Sequence, residues 1–182
     1  MNHLEYDTEN IYNEHRKTFE MLRDHIDLSQ VAFVGGIADY LNLRGHHKMP
    51  VNDFDMVISN PLVIEPLKEL IRFAHTDTLY LNETSSVFQS NYIVDDCCVH
   101  LDFFMVSSIY EQAVCTSQFL GTPVQHYDFA TMREFHNNQI SIFTTDVKGE
   151  AYDWKRLYKH SRKGGLYNLI ALKNKKSILN TV

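Results

Sequence analysis

The sequence has little cysteine, proline or glycine: three, four and seven residues out of 182. Three cysteines, two of them adjacent at Cys97 and Cys98, do not make the disulfide framework of a small secreted domain, which favours a reduced, cytoplasmic setting. No apolar run approaches the roughly 20 residues that cross a bilayer, and the polar N-terminal segment lacks the apolar centre of a signal peptide. We therefore expect a cytoplasmic protein that does not contact a membrane.

The composition that remains is that of a folded domain. Hydrophobic residues make up 44% of the chain, aromatic residues 12% and charged residues 22%, proportions that exclude a fibrous or a disordered protein. The length suits one compact domain, or a core with a small appendage, and is sufficient to bury a hydrophobic interior.

The charges are distributed unevenly along the chain. Residues 151–182 contain eight Lys or Arg and one acid, Asp153, for a net charge of +7, whereas the other 150 residues contain nine basic and 22 acidic residues, for a net charge of −13. A basic end on an acidic body indicates that this end meets phosphates or an acidic partner. A solvated helix face with a basic tail has the same composition, so both interpretations stay open.

Hydrophobic periodicity predicts an α/β protein. Helices are expected at residues 9–26, 37–44 and 61–74, strands at 31–34, 54–58, 77–82, 86–94 and 99–106, and a turn at Asp95-Asp96. The later part is expected to be mainly helical, with helices from Ser108 to near Gly121 and from Asp128 through His136, a strand at 139–145, and two basic helices at 150–162 and 165–177 separated by Gly164-Gly165. The expected fold is a mixed β-sheet flanked by helices at 1–106, with a mainly helical part at 107–182 packed on it.

Gly35-Gly36 is the first feature that suggests chemistry, because it lies where a short buried strand is followed by a helix. A glycine turn allows backbone N–H groups to approach a phosphate closely, and the helix N-terminus adds positive potential. A tight connection without any ligand has the same sequence.

Asp53 and Asp55 are the second feature. Residues two apart on a strand point to the same side, so both carboxylates face one direction while Phe54 enters the core. Two neighbouring carboxylates repel each other unless a cation lies between them, and hard oxygen ligands suit Mg²⁺ or Mn²⁺. A solvent-facing strand that carries two acids is the alternative.

Asp102 is the third feature, because it is flanked by Leu101 and Phe103 in an apolar strand. A carboxylate is costly to bury unless it has a partner. If this strand lies beside the strand of Asp53 and Asp55, Asp102 completes a site of three carboxylates. The alternative is an aspartate at the edge of the sheet.

Together these motifs resemble the polymerase-beta-type nucleotidyltransferase superfamily. The pattern of that superfamily is a hydrophobic residue followed by Gly-Gly or Gly-Ser, then Asp-x-Asp on one strand, and later a third acid between hydrophobic residues on another strand. The corresponding segments here are Val34-Gly35-Gly36, Asp53-Phe54-Asp55 after sixteen intervening residues, and Leu101-Asp102-Phe103. Within the superfamily, the stretch from Gly35 to Asp55 is similar to small antibiotic adenylyltransferases and to abortive-infection nucleotidyltransferase toxins. The resemblance covers roughly residues 31–106.

The resemblance implies a nucleotidyltransferase-like fold and a metal-dependent transferase. Asp53 and Asp55 would hold divalent cations, Mg²⁺ or Mn²⁺, and Asp102 would join them and help to deprotonate an acceptor hydroxyl. A nucleoside monophosphate would pass from a nucleoside triphosphate such as ATP to that hydroxyl, and pyrophosphate would be released. Gly35 and Gly36 would contact the triphosphate through their backbone N–H groups.

Cations are also needed, because negative charge develops on the leaving group. The sequence offers Arg44 and Lys48 in the connection before the Asp-x-Asp motif, and Lys155 and Lys159 at i, i+4 spacing in the basic end. The second pair is slightly favoured as nucleotide-binding residues. All four have the alternative of being ordinary surface charges.

The favoured function is an enzyme whose acceptor is an RNA such as a tRNA 3′ end, a protein side chain or a small molecule such as an aminoglycoside. The basic end favours RNA, whereas the acidic body and small size favour a compact acceptor. The alternative is a nucleotidyltransferase-fold module that binds a nucleotide or a partner without catalysis, and the presence of all three acids counts against it. A third interpretation is a structural α/β domain in which the motifs coincide by chance.

Trp154 and Tyr158 in the basic end have two interpretations, as a platform that stacks a base or as an anchor of their helix to the core.

Overall fold

The chain forms two compact units, Met1–Asp128 and Phe129–Val182, which we name the sheet unit and the helical unit. The computed structural model describes residues 11–80, 83–109, 112–145 and 154–179. By sequence, the sheet unit has seven basic and 19 acidic residues, for a net charge of −12, and the helical unit has ten basic and four acidic residues, for a net charge of +6. None of the helices in the described ranges combines the length and hydrophobicity that a membrane crossing requires.

Within the described residues, the sheet unit contains one mixed sheet of seven strands. The strands are β1 Val31–Val34, β2 Phe54–Ile58, β3 Ala74–Tyr80, β4 Glu83–Val94, β5 Cys97–Met105, β6 Val114–Phe119 and β7 Thr122–Tyr127. Their order across the sheet is β3-β4-β5-β2-β1-β7-β6. The pairs β2–β5 and β1–β7 are parallel, and the other neighbours are antiparallel. The predicted fold class, a mixed α/β sheet with helices, is confirmed.

The helices of the sheet unit pack against its aromatic core. They are α1 Asn13–His25, α2 Gly35–Leu43 and a 3-10 helix at Pro61–Glu69, preceded in the chain by a single 3-10 turn at Leu28–Gln30. Phe19 of α1 is fully buried and packs with its ring centroid 6.2 Å from Phe33 of β1 and 4.8 Å from Phe119 of β6. The amphipathic pattern that predicted the first helix therefore reflects a real contact with the sheet.

The helix predicted at 61–74 is shorter and tighter than expected, because it is a 3-10 helix that ends at Glu69. Pro66 lies inside it, and proline has no N–H to donate to a helical hydrogen bond. The residues from Ala74 onward instead begin β3, which pairs along its length with β4.

The turn predicted at Asp95-Asp96 joins β4 to β5. Both residues have positive φ, +50° and +62°, as the two central residues of a tight hairpin turn require. Asn13 and Lys17 of α1 donate to the Asp95 carboxylate at 3.0 Å and 2.6 Å. These contacts hold the start of α1 against the far end of the hairpin.

The region after β5 differs from the prediction, because it forms two strands where a helix was expected. The helix predicted from Ser108 to near Gly121 is wrong, because Val114–Phe119 is the strand β6, which turns at Leu120-Gly121 into β7. Leu120 and Gly121 both have positive φ, so this Gly ends a strand in a hairpin and not a helix. Since β7 pairs with β1, the sheet continues past residue 106, and the units divide after Asp128.

The helical unit is a pair of long helices, α3 Phe129–Thr145 and α4 Trp154–Leu179. The strand predicted at 139–145 is wrong, because these residues continue α3. The two helices predicted at 150–162 and 165–177 are, where the structure describes them, one helix without a break at Gly164-Gly165. A Cβ on Gly164 would lie only 3.2 Å from Asn137 and from Ile140 of α3. The glycine therefore allows the two helices to approach closely, which local sequence does not reveal.

Candidate functional site

Asp55 and Asp102 lie opposite each other inside the sheet. In the parallel pairing of β2 with β5, Asp55 is the register partner of Asp102, as Phe54 is of Leu101. Neighbouring strands are about 4.8 Å apart, and register partners point to the same face, so the two carboxylates are adjacent while Phe54 and Leu101 are fully buried. Because β5 lies between β4 and β2, Asp102 is not on an edge strand. We name Asp55 and Asp102 the carboxylate pair.

Gly35 brings the N-terminus of α2 against this pair. Val34 is the register partner of Asp55 across β1 and β2, and Gly35 follows with φ +57°, a conformation that favours glycine. A Cβ at Gly35 would lie 1.9 Å from Asp55 Oδ2, so the carboxylate occupies the space that any other side chain would need. The first N–H groups of a helix lack helical partners and carry positive potential, which stabilises a carboxylate placed there.

Gly36 is less constrained than Gly35. Its nearest neighbour for an added Cβ is the backbone carbonyl oxygen of Asp53, at 4.0 Å, which is an ordinary van der Waals distance. The two glycines of the motif therefore differ. Gly35 is required by its backbone conformation and by the lack of space for a side chain, whereas neither reason applies to Gly36.

Two side chains of the sheet hold one oxygen of Asp102. Gln89 of β4, its register partner, donates from Nε2 to Oδ1 at 3.0 Å, and His100 Nε2 lies 3.0 Å from the same oxygen. The Asp102 side chain is 15% exposed. Within the described residues, no hydrogen bond reaches Oδ2. The carboxylate is thus oriented through one oxygen and presents the other.

The partners of Asp102 are themselves held in place. Thr76 of β3 donates to Gln89 Oε1 at 3.2 Å, which fixes the Gln89 amide with its nitrogen toward Asp102. The second ring nitrogen of His100, Nδ1, lies 2.8 Å from Asn91 Oδ1, and Asn91 is the register partner of His100. Sequence reasoning missed Gln89, Thr76 and Asn91, because their roles follow from strand register and not from any local pattern.

Asp53 lies two residues before Asp55, ahead of the first residue of β2, and its side chain is exposed. The backbone beside it is anchored by α1: His15 donates from Nε2 to the Asn52 carbonyl at 2.7 Å, and its ring stacks on Phe54 with centroids 6.1 Å apart. Sequence reasoning assigned no role to His15. In the structure it fixes the segment that leads into the Asp-x-Asp motif.

The residues available to a metal ion are these acids. In the part of the chain that the structure describes, no three His, Cys, Asp or Glu side chains are grouped closely enough to form a metal site by themselves. Magnesium, however, is commonly held by one or two carboxylates together with substrate phosphates and waters. Two adjacent carboxylates are a donor set that fits such a cation, since one of them presents an oxygen that no hydrogen bond from the described residues reaches.

The four predicted cations are distributed over both units. Arg44 follows the last residue of α2 and donates to the Gln118 carbonyl at 2.8 Å; since α2 has nine residues and is thus about 13 Å long, Arg44 lies at the opposite end of that helix from Gly35. Lys48 is exposed in the connection between α2 and β2, and Lys155 and Lys159 are exposed on α4 of the helical unit. The structure brings together Gly35, Asp55 and Asp102, and the nucleotide-binding roles of the four cations stay predictions.

A second polar cluster lies on β6 and β7. His126 donates from Nδ1 to the Tyr127 carbonyl at 2.9 Å, so its Nε2 accepts from Ser117 Oγ at 2.9 Å and lies 3.3 Å from Cys115 Sγ. Burial lowers the pKa of His126 and raises the pKa of the Cys115 thiol. Both shifts favour the neutral forms, whereas a nucleophilic cysteine acts as the thiolate.

The chain was compared with protein families, curated proteins and solved structures. The chain matches no protein-family model and no curated protein. Among solved structures it is similar to an antigenic nucleotidyltransferase-like protein from Paracoccidioides brasiliensis, with 16% sequence identity and a TM-score of 0.46, over 83% of this chain and 70% of that chain. A similarity of this size establishes neither activity nor substrate, so the residues themselves carry the functional argument.

Proposed function

We propose that this protein is a metal-dependent nucleotidyltransferase, which moves a nucleoside monophosphate from a nucleoside triphosphate to a hydroxyl acceptor and releases pyrophosphate. The observation that carries the proposal is the pairing of Asp55 with Asp102 across β2 and β5, beside the N-terminus of α2 at Gly35. This juxtaposition combines adjacent hard oxygen donors with a helix terminus suited to an anion. We expect the protein to act in the cytoplasm, because its three cysteines are free.

In this proposal the acids and the glycine turn have separate tasks. Asp55 and Asp102 would hold Mg²⁺ or Mn²⁺ together with the triphosphate, and Asp53 would join them from the start of β2. The bound cation would neutralise charge on the triphosphate and favour deprotonation of the acceptor hydroxyl. Gly35 and Gly36 would present backbone N–H groups to the triphosphate, where the absence of side chains allows close approach.

Gln89 and His100 act on the reaction through Asp102. Their donors converge on Oδ1, and this keeps the carboxylate from rotating. Oδ2 then keeps a fixed direction toward whatever the pair binds. A site that must be positioned within a fraction of an ångström benefits from such second contacts.

The experiment that tests the proposal is incubation of the full-length protein with nucleoside triphosphates labelled at the α-phosphate, Mg²⁺ and total cell extract. The expected result is label in an RNA, protein or small-molecule fraction, with stoichiometric release of pyrophosphate. Label on a small molecule such as an aminoglycoside would favour the antibiotic adenylyltransferase branch, and label on tRNA or protein the abortive-infection toxin branch. Nucleotide binding without label in any fraction would contradict the proposal.

A second candidate is a nucleotide-binding module without catalysis. It is favoured by the absence of a preformed three-ligand metal group in the described residues and by the exposure of Asp53. This candidate predicts nucleotide binding that does not depend on Mg²⁺ and no pyrophosphate release. The transferase predicts the reverse on both counts, so the same incubation with and without a chelator separates the two.

A further inference from the structure

The helix α4 has the most one-sided charge in the described chain. Its 26 residues include eight Lys or Arg and no Asp or Glu. The Lys and Arg side chains of such a helix repel one another. Together they attract polyanions over a distance of about one Debye length, roughly 8 Å at physiological salt.

One side of α4 is occupied by the contact with α3. His160, Gly164 and Tyr167 are buried there: His160 Nδ1 lies 2.9 Å from His136 Nδ1, and the Tyr167 ring packs 4.8 Å from that of Phe129. Asn168 extends the contact by donating to Asn137 Oδ1 at 3.2 Å. Arg133 of α3 joins the contact by donating from Nε to Asn168 Oδ1 at 2.6 Å, whereas none of these contacts uses a Lys or Arg of α4.

The opposite side of α4 begins with two exposed aromatic rings. The side chains of Trp154 and Tyr158 are 67% and 72% exposed, and with Arg162 they form one row at four-residue steps along the helix. Lys155 and Lys159 form the neighbouring row, and all five residues are exposed. We name these five residues the aromatic-basic face. Both rings are mainly in solvent, as a platform that stacks a base requires.

We infer that the aromatic-basic face binds single-stranded RNA. Rings exposed between cations are the arrangement that binds single strands: each ring stacks an unpaired base, and each cation meets a backbone phosphate. Arg162 can also stack, because its guanidinium is planar. The inference goes beyond the transferase proposal and concerns binding alone.

A membrane surface and an RNA duplex fit this face less well. A helix that lies on a membrane separates an apolar face from a basic face, whereas here Arg162 continues the row of Trp154 and Tyr158, and the lysines lie beside it. A duplex keeps its bases paired and stacked and would offer the two rings no partner.

Trp154 provides a direct signal for the test, because it is the only tryptophan of the chain. The full-length protein is titrated with a mixed-sequence single-stranded RNA of about 12 nucleotides, of the order of a site covered by one small domain, at low salt. Stacking on a base is expected to quench the Trp154 fluorescence, and anisotropy of a fluorescein-labelled copy of the RNA gives the Kd independently.

The variants separate the rings from the charges. Trp154→Ala and Tyr158→Ala are each expected to raise the Kd by about 5- to 150-fold, whereas Tyr12→Ala, at a 59% exposed tyrosine of the sheet unit, is the matched control and should leave it unchanged. Trp154→Phe keeps a ring and should retain most of the affinity.

The charge variants replace Lys155 and Lys159 by Gln. They should reduce the slope of log Kd against log salt by about 1.4, at about 0.7 per phosphate contact. Lys68→Gln, in the sheet unit, is the control and should leave the slope unchanged.

Several results would overturn the inference. They are the absence of RNA binding by the wild-type protein, a Kd that the alanine variants leave unchanged, equal affinity for a duplex of the same length, and binding to anionic phospholipid vesicles without binding to RNA. Circular dichroism of each variant verifies that α4 is intact, so that a loss of binding is not a loss of helix. The transfer assay is run in parallel, and failure of transfer with RNA binding intact would count against the transferase alone.

Discussion

The two units carry their charges in opposite ways. In the sheet unit, with a net charge of −12, the acids of interest are partly enclosed: Asp55 lies against Gly35, and Asp102 is 15% exposed and held by two donors. In the helical unit, with a net charge of +6, the contacts between α3 and α4 are made by rings, amides, a glycine and the guanidinium of Arg133, and the cations of the aromatic-basic face are exposed.

The difference concerns how each surface is built. The carboxylate pair joins residues 47 positions apart in the sequence, and only the register of β2 with β5 brings them together. The aromatic-basic face joins residues four apart on one helix. We therefore expect mutations in the sheet unit to act through the geometry of the paired strands, and mutations in the helical unit to act locally.

The largest effect is expected from Asp55→Asn, which keeps the shape of the side chain and removes its charge. Transfer should fall by at least about 100-fold, as it does when an electrostatic contact to a transition state is removed, while the melting temperature stays close to that of the wild type. The matched control is Asp77→Asn, at an exposed acid on β3 of the same sheet, and it should transfer normally. Equal activity of the two variants would mean that the carboxylate pair is not the site.

A large loss of stability is expected from Gly35→Ala. The added methyl group meets Asp55 Oδ2 in a backbone conformation with φ +57°, so both strain and overlap oppose it, and we expect a cost of about 2–4 kcal/mol. Gly45→Ala is the control, because a Cβ at Gly45 meets nothing within 4 Å. Chemical denaturation measures both, and a difference below about 0.5 kcal/mol would contradict the close approach of α2 to Asp55.

A moderate effect is expected from Gln89→Leu, which removes one of the two donors to Asp102 Oδ1. Loss of a hydrogen bond to a charged group costs about 1.5–3 kcal/mol, so kcat/KM should fall by roughly 10- to 100-fold if Asp102 must be oriented. Gln118→Leu, at an exposed side chain of β6, is the control. Unchanged kcat/KM in the Gln89 variant would show that His100 alone is sufficient to orient the carboxylate.

The smallest effect is expected in the helical unit. Gly165→Ala should stabilise α4 by about 0.5–1 kcal/mol, because a Cβ there meets nothing within 4 Å and alanine favours a helix. Gly164→Ala should gain less, since its Cβ crowds Asn137 and Ile140 at 3.2 Å. Denaturation curves of the two variants compare them directly, and equal stabilisation would contradict the close packing of α3 on α4.

Local patterns were sufficient where a segment is governed by its own side chains. The strands Val31–Val34 and Phe54–Ile58 are found where alternation and buried apolar runs placed them. The Gly-Gly motif also begins a helix as predicted. These segments lie in the middle of the sheet, where hydrophobic burial decides the structure.

Local sequence patterns failed where a segment's structure depends on a strand or helix that is distant in the sequence. β6 pairs with β7, and β7 pairs with β1, which overrides the local pattern that predicted a helix from Ser108. α4 continues through two glycines because α3 packs at the first of them. For the same reason Gln89 and His15 were missed as site residues: one acts across a strand pair and the other from a separate helix. The first residues of the helices predicted at 9–26 and 150–162, residues 9–10 and 150–153, lie outside the described residues.

Whether Asp55 and Asp102 hold one divalent cation together with a nucleotide is decided by a Mn²⁺ titration followed by electron paramagnetic resonance. The titration is made with a non-hydrolysable nucleoside triphosphate analogue, with the wild-type protein and with Asp102→Asn. We expect nucleotide-dependent Mn²⁺ binding by the wild type that weakens by at least about tenfold in the variant. Mn²⁺ binding of equal strength in both proteins would rule out a cation held by this pair.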